Sequence, residues 1–187
     1  MFYAHSENWN GVKHGLKEHL LSTAELTRSF SASKELEQLF FCAGLLHDVG
    51  KFQDGFQKYL FEGGKKTPHA GIGAFIARSL AKQHISLQFA IQGHHAGMPD
   101  NQGRKDNNDS YDDQQQTVSE LIRRFHGNIP ESSTLDISSQ PFAQKDLLLS
   151  ECATRFLFSA LTDADWLDTE RHFSLDKSNM RTSQTLN

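Results

Sequence analysis

The chain has 187 residues, 37% of them hydrophobic and 22% charged, and a formal net charge of −4. This is enough apolar material for one globular core, which argues against wholesale disorder and against a strongly basic nucleic-acid coat protein. No apolar run is long enough to span a bilayer, and MFYAHSENWN carries no secretory signal, so a cytoplasmic protein with no membrane contact is expected.

The pattern is helical nearly throughout, and strand-like alternation is almost absent, so the predicted class is all-α. Val12, Leu16, His19, Leu20 and Thr23 recur at helical spacing. Ser33 is placed to cap a second helix with Leu36, Leu39, Phe40, Ala43 and Leu46 on its inner face, and Gly50 to stop it. A short amphipathic segment carries Phe52, Phe56 and Tyr59–Leu60, and the run from Gly63 to Pro68 is a clear break. His69, Ile72, Gly73, Ile76 and Leu80 mark another helical stripe, and Ser86 to His95 a short apolar helix.

Residues 96–113 carry almost no apolar side chains and predict a long mobile surface loop. An exposed helix is expected over 114–126 and a polar connection over 127–141. Leu147 to Leu167 is the most apolar stretch, nearly all round between Cys152 and Leu161, which places it in the centre of the core. The expected division is a domain over 1–175 and a polar tail or linker over 176–187. Cys42 and Cys152, the only cysteines, read as small core residues.

Ten histidines are many for this length. Five of them, His19, His47, His69, His94 and His95, lie at helix ends or on core-facing stripes. Asp48 follows His47, and Asp163 and Asp165 sit near the end of the last long helix. Neutral imidazole and carboxylate together suit Mn, Fe, Co, Ni and Zn, and a carboxylate beside a ligating histidine can bridge two metals. His5, His14, His84, His126 and His172 read as ordinary, partly buried polar residues.

The order His … His-Asp … Asp is that of the HD-domain phosphohydrolase superfamily. The blocks Tyr3-Ala4-His5-Ser6, Leu16 to Leu20, His47-Asp48-Val49-Gly50-Lys51, His69-Ala70-Gly71, Gly93-His94-His95-Ala96-Gly97 and Asp163 to Glu170 resemble, more narrowly, the HD nuclease domain of the CRISPR type I interference nuclease–helicase. The resemblance spans about residues 3–173 and implies an all-α bundle with a metal site between its helices. It implies cleavage of single-stranded DNA with two divalent ions, drawn from Mn, Fe, Co, Ni or Mg. The implied partners are a CRISPR helicase domain or subunit, absent from this chain, and the RNA-guided surveillance complex.

Carried over by position, His19, His47, Asp48 and the late aspartate would hold one metal. Asp48, His69, His94 and His95 would hold the other, with Asp48 bridging. Asp163 and Asp165 lie two residues apart and so face roughly 200° apart on a helix, which admits only one of them to the first set. The small-Asp-apolar context Ala164-Asp165-Trp166 favours Asp165, with Asp163 as the alternative. The aspartate left over is expected behind the site, orienting a ligand histidine through its free ring N–H, or capping a neighbouring backbone group. Lys51 is expected to contact the scissile phosphate or the leaving group, against the plainer reading of an exposed lysine at a helix end. Lys65-Lys66 and Arg104-Lys105 are the adjacent basic pairs in expected loops. Phe52, Phe56 and Trp166 are expected to pack in the core. The competing readings are an HD phosphohydrolase of nucleotides or cyclic nucleotides, and a metal-free helical adaptor.

Overall fold

The computed structural model describes residues 1–81, 84–134 and 147–183. Its elements are a hairpin, β1 (Tyr3–Glu7) and β2 (Lys13–Gly15), followed by α1 (Leu16–Ser29), α2 (Lys34–Leu46), α3 (Asp54–Glu62), α4 (Ala70–Leu80) and α5 (Ile85–Gly93). Then come α6 (Asn101–Asp112), α7 (Gln115–Asn128), α8 (Leu147–Phe173) and α9 (Leu175–Ser183), with 3₁₀ turns at Val49–Phe52 and Pro130–Thr134. The all-α expectation therefore holds apart from the small antiparallel hairpin.

The core forms where α1, α2, α4, α5 and the second half of α8 pack together. Leu16 and Leu20 of α1, Phe40, Leu45 and Leu46 of α2, Ile72 and Ile76 of α4, and Leu87 and Ile91 of α5 are fully or almost fully buried in it. Two glycines set how closely the layers approach. A Cβ on Gly44 would lie 2.5 Å from the Ala24 Cα, so α1 and α2 meet backbone to backbone. A Cβ on Gly50 would strike the His69 carbonyl and lie 2.7 Å from the His69 Cα, so only glycine lets the start of α4 rest on the turn after α2. These two contacts bring His19, His47, Asp48 and His69 to one place.

Three expectations are corrected. Residues 96–113 are not one long loop, because α6 occupies Asn101–Asp112. Asp100 caps it by accepting from the Gly103 amide at 2.7 Å, and polar contacts dock it. Asn108, buried, donates to Gln88 Oε1 at 3.1 Å, and Asn107 donates to the Gly71 carbonyl at 3.0 Å. Arg104 therefore lies on a helix, bonded to Gln88 and Asn101. Hydrophobic periodicity cannot detect a helix held in this way.

The hairpin is the second correction. Its strands are too short for alternation to register, and it is fastened from outside. Gln57 of α3 exchanges hydrogen bonds with the Tyr3 backbone at 3.0 and 2.9 Å, and Asn8 donates to the His172 carbonyl at 3.1 Å. Val12 thus lies outside α1 and is exposed.

Third, α8 is not central along its whole length. Leu147, Leu148, Leu149, Cys152 and Phe156 are exposed, and the buried stripe begins at Leu157 and runs through Ala160, Leu161 and Ala164 to Asp165 and Asp168. This buried stripe faces the bundle, where α8 packs against α1, α2 and α5. Trp166, expected in the core, is 72% exposed on the far side of the helix, whereas Phe52 and Phe56 are buried. Cys42 is a core residue as expected, and burial pushes its thiol up to about 12.

The segment expected as a polar tail or linker is described through Ser183, where it is a polar helix. Arg181 of α9 pairs with Glu170 of α8 at 2.7 Å.

Of the remaining expectations, α7 is amphipathic and not simply exposed: Val118, Leu121 and Phe125 are buried and Arg124 bonds Asp54 at 2.6 Å. The connection expected over 127–141 is described only to Thr134; the rest, with Pro141, lies outside the described residues. Among the described residues no helix is long and apolar enough to cross a membrane.

Candidate metal centre

Five helix ends or faces converge on the Asp48 carboxylate, which has no solvent exposure. Its residue sits at φ −111°, ψ 17°, where the chain leaves the helical path of α2 and turns into the 3₁₀ segment. One oxygen, Oδ2, lies 3.2 Å from His19 Nε2 and 3.3 Å from His47 Nε2. The other, Oδ1, lies 3.2 Å from His69 Nε2 and 3.5 Å from His94 Nε2. Asp165 Oδ1 closes the first group at 3.4 Å from His19 and 3.6 Å from His47. His95 Nε2 closes the second at 2.7 Å from His69 Nε2. The structure thus gathers every histidine singled out from the sequence, with Asp48 and Asp165, into two donor sets that share Asp48. Asp163 is exposed and stays outside both.

The orientation of each imidazole has a local cause. His47 and His94 each stand immediately after a helix, and each donates from Nδ1 to the carbonyl three residues back, Gly44 at 2.7 Å and Ile91 at 2.6 Å. Such carbonyls have no partner within the helix, so the imidazole satisfies them and its Nε2 is turned inward. His19 is fixed from α8: its Nδ1 donates to Asp168 Oδ2 at 2.7 Å. His69 enters as the residue before α4, on the close contact at Gly50.

The residue expected to orient a ligand from behind is therefore Asp168 and not Asp163. It lies three positions after Asp165, on the same helical face, and a helical-spacing argument from Asp165 would have found it. Asp168 also meets His14 Nε2 at 3.4 Å, and His14 Nδ1 faces His5 Nδ1 at 3.1 Å across the hairpin. His5 and His14, set aside in the sequence as ordinary residues, thus form a third imidazole group against His19. The only sequence sign of this was that His5 and His14 precede a histidine-bearing helix closely enough to fold back on it.

Lys51 is not the exposed helix-end lysine of the plainer reading. It is buried and its Nζ lies 2.5 Å from Asp48 Oδ2.

The electrostatics divide the two sets. Burial opposes charge on His19, but its bonds to Asp165, Asp168 and Asp48 outweigh that and push it up to about 10. Burial likewise opposes charge on His47, and the neighbouring Asp48 and Asp165 carry it up to about 9. Burial opposes ionisation of both carboxylates too, yet Lys51 and the imidazoles hold Asp48, and His19 and His47 hold Asp165, below the usual carboxylate range. In the second set desolvation dominates: His94 is lowered, and His95 is lowered to about 3.

These residues fit a pair of divalent cations. The Nε2 atoms of His47 and His94 and Oδ1 of Asp48 are buried and lack hydrogen-bond partners among the described residues. Each such group costs about 1–3 kcal/mol if nothing binds it, and all three face the same small volume. The first set combines two imidazoles with two carboxylates, and the second combines three imidazoles with the remaining Asp48 oxygen, a chemistry that suits borderline divalent metals.

The sequence comparison agrees with this geometry. The family model described as "HD domain" matches residues 16–155, and the chain belongs to that family. The match contains His19, His47, Asp48, His69, His94 and His95 and stops before Asp165 and Asp168, which the structure adds. No curated protein matched the chain. HD domains are metal-dependent phosphohydrolases, so hydrolase and metal binding describe this chain at the level of its family.

Two predictions follow from the arrangement. Asp168→Asn should weaken divalent-metal binding about 10–100-fold while Asp163→Asn leaves it unchanged, measured by titration of chelator-treated protein. Equal effects would show that Asp168 does not act on His19. The second concerns pH. Values raised from the ordinary 6.5 to about 10 and 9 mean that His19 and His47 both carry protons near neutrality when no metal is bound. Their charged forms contribute stability that is fully present below about 6.5 and lost as pH rises through 9 to 10. A metal in the first set must expel both protons, so its apparent affinity should climb with pH over that interval. Calorimetry in buffers of different ionisation enthalpy counts the protons; release near zero would contradict the assignment.

Proposed function

We propose that the chain is a two-metal nuclease that hydrolyses phosphodiester bonds of single-stranded DNA. In this reading it is a cytoplasmic protein of CRISPR interference, beside a helicase and the RNA-guided surveillance complex. The observation that carries the hydrolytic part is the Asp48 carboxylate, which offers one oxygen to each of two donor sets. The narrower part is supported by the likeness of the His94-His95-Ala96-Gly97 and Asp163–Glu170 blocks to the nuclease domain of CRISPR nuclease–helicases.

His19, His47, Asp48 and Asp165 would hold one ion, and Asp48, His69, His94 and His95 the other. When bound, such a pair lowers the pKa of a water to near neutrality and stabilises charge on the phosphate and the leaving oxygen. The protein's own part is orientation and access. Gly44, Ile91 and Asp168 fix three imidazoles through Nδ1. The side chains of His19, His47, Asp48 and His94 are sealed from solvent, whereas Asp165 and His69 keep 12% and 8% of their side-chain exposure and His95 is exposed. A phosphodiester can therefore reach the cluster only past the residues that keep exposure, Asp165, His69 and His95. Lys51 Nζ, now paired with Asp48, is the cation nearest the shared carboxylate. With Asp48 serving as a metal ligand, this ammonium would be available to a phosphate oxygen or the leaving group.

A metal-free adaptor role would leave His47 Nε2, His94 Nε2 and Asp48 Oδ1 buried without a hydrogen bond, and the geometry gives no reason to retain them. The nucleotide phosphohydrolase reading shares the metals and differs in substrate. Circular single-stranded DNA, which has no ends and is no mononucleotide, separates the two. With Mn, Co or Ni the protein should linearise it. Asp165→Asn should lower the rate by more than about 100-fold, beyond the loss expected for an outer-sphere partner, and Asp163→Asn should retain it. Hydrolysis of nucleotides with an intact circle would overturn the nuclease reading.

A further inference from the structure

An acidic chain that takes a polyanion needs local positive charge beyond its metals, and one cleft supplies it. Residues Gly55, Lys58 and Tyr59 of α3 and the segment Gly63–Pro68 line a cleft of about 560 Å³. Three of these nine residues are lysines: Lys58, Lys65 and Lys66. Lys58 lies 3.9 Å from Glu62, an exposed pair, and among the described residues neither Lys65 nor Lys66 is in an ion pair. Gly63 and Gly64 adopt φ +74° and +99°, and a Cβ at either would meet nothing within 4 Å, so the backbone on this wall is uncovered.

The far end of the wall is anchored to the metal centre. Gln53 Nε2 donates to the Pro68 carbonyl at 3.0 Å and to the Gly50 carbonyl at 2.8 Å. One side chain thus ties the lysine-bearing segment to the turn that carries Asp48 and Lys51, and the residue after Pro68 is His69.

We propose that this cleft holds the sugar–phosphate backbone of the nucleic-acid strand next to the scissile phosphodiester. The proposal rests on the nuclease reading for its occupant and deepens it by naming where the flanking strand lies. Lysines contact phosphates as point charges without reading sequence, and the Tyr59 ring offers a base a stacking face. Three lysines line the open cleft, and their flexible stems let the ammonium groups turn to successive phosphates.

The test is the binding of a fluorescent oligothymidylate, followed by anisotropy over a range of salt concentrations, with and without Mn. The cleft variant is K58Q/K65Q/K66Q. A charge-matched control, K34Q/R155Q/K177Q, removes the same charge from exposed positions on α2, α8 and α9. The cleft variant should bind at least about tenfold more weakly, and its salt slope should fall by about 2, three contacts at about 0.7 each. The control should stay close to the wild type. Equal weakening in both variants, or a cleft variant that binds like the wild type, overturns the proposal, as does a wild-type protein that does not bind the strand. Binding through the cleft by a wild-type protein that cuts no circular single strand in any metal would instead overturn the nuclease reading and leave the cleft as a strand-binding site.

Discussion

A carboxylate removed from water needs positive charge or hydrogen-bond donors on every side, and the arrangement of this protein follows from meeting that need at Asp48. Neither oxygen can reach solvent, and four imidazoles and one ammonium stand within 3.5 Å. No single helix could supply them. The ligands come from the first turn of α1, the ends of α2 and α5, the approach to α4 and the inner face of α8. The bundle is the means of bringing these points together, and Gly44 and Gly50 sit where the required approach leaves no room for a side chain.

The imidazoles are aimed by backbone chemistry more than by packing. A helix that ends in the protein interior leaves carbonyls without partners, and a histidine immediately after it can satisfy one through Nδ1. Using that device at α2 and again at α5 directs two Nε2 atoms into one volume without any further residue. His19, in the first turn of its helix, where the unpartnered groups are N–H and not C=O, has no such carbonyl, and α8 provides Asp168 instead. The same stretch of α8 therefore offers one carboxylate to the cluster and a second to the imidazole behind it, three residues apart on one face.

Much of this was legible in the sequence. The apolar stripes of α1, α2 and α4 marked real buried faces, because a helix packed by hydrophobic contact must repeat with the helical period. The histidines stood out by number and by their places at helix ends, and the unlike directions of Asp163 and Asp165 left room for only one. What escaped was held by polar contacts. The helix α6 docks through Asn107 and Asn108, and the hairpin through Gln57 and Asn8, and no hydrophobic pattern records such bonds. The uniform apolar character of early α8 was misleading for a related reason: composition shows that a helix can be buried, and only the packing of its neighbours decides how much of it is. Asp168 was within reach of helical spacing from Asp165, whereas the grouping of His5 and His14 depends on the hairpin, whose strands are too short for the sequence pattern to mark.

The central claim is that one buried carboxylate serves two cations. Crystals grown with Mn, with diffraction data collected on either side of the manganese absorption edge, measure this directly. The account predicts two anomalous peaks on opposite sides of Asp48, one against His19, His47 and Asp165 and the other against His69, His94 and His95, with Lys51 displaced from Asp48. A single peak, or a fully loaded protein in which Lys51 still holds the Asp48 carboxylate and only one donor set is engaged, would contradict it.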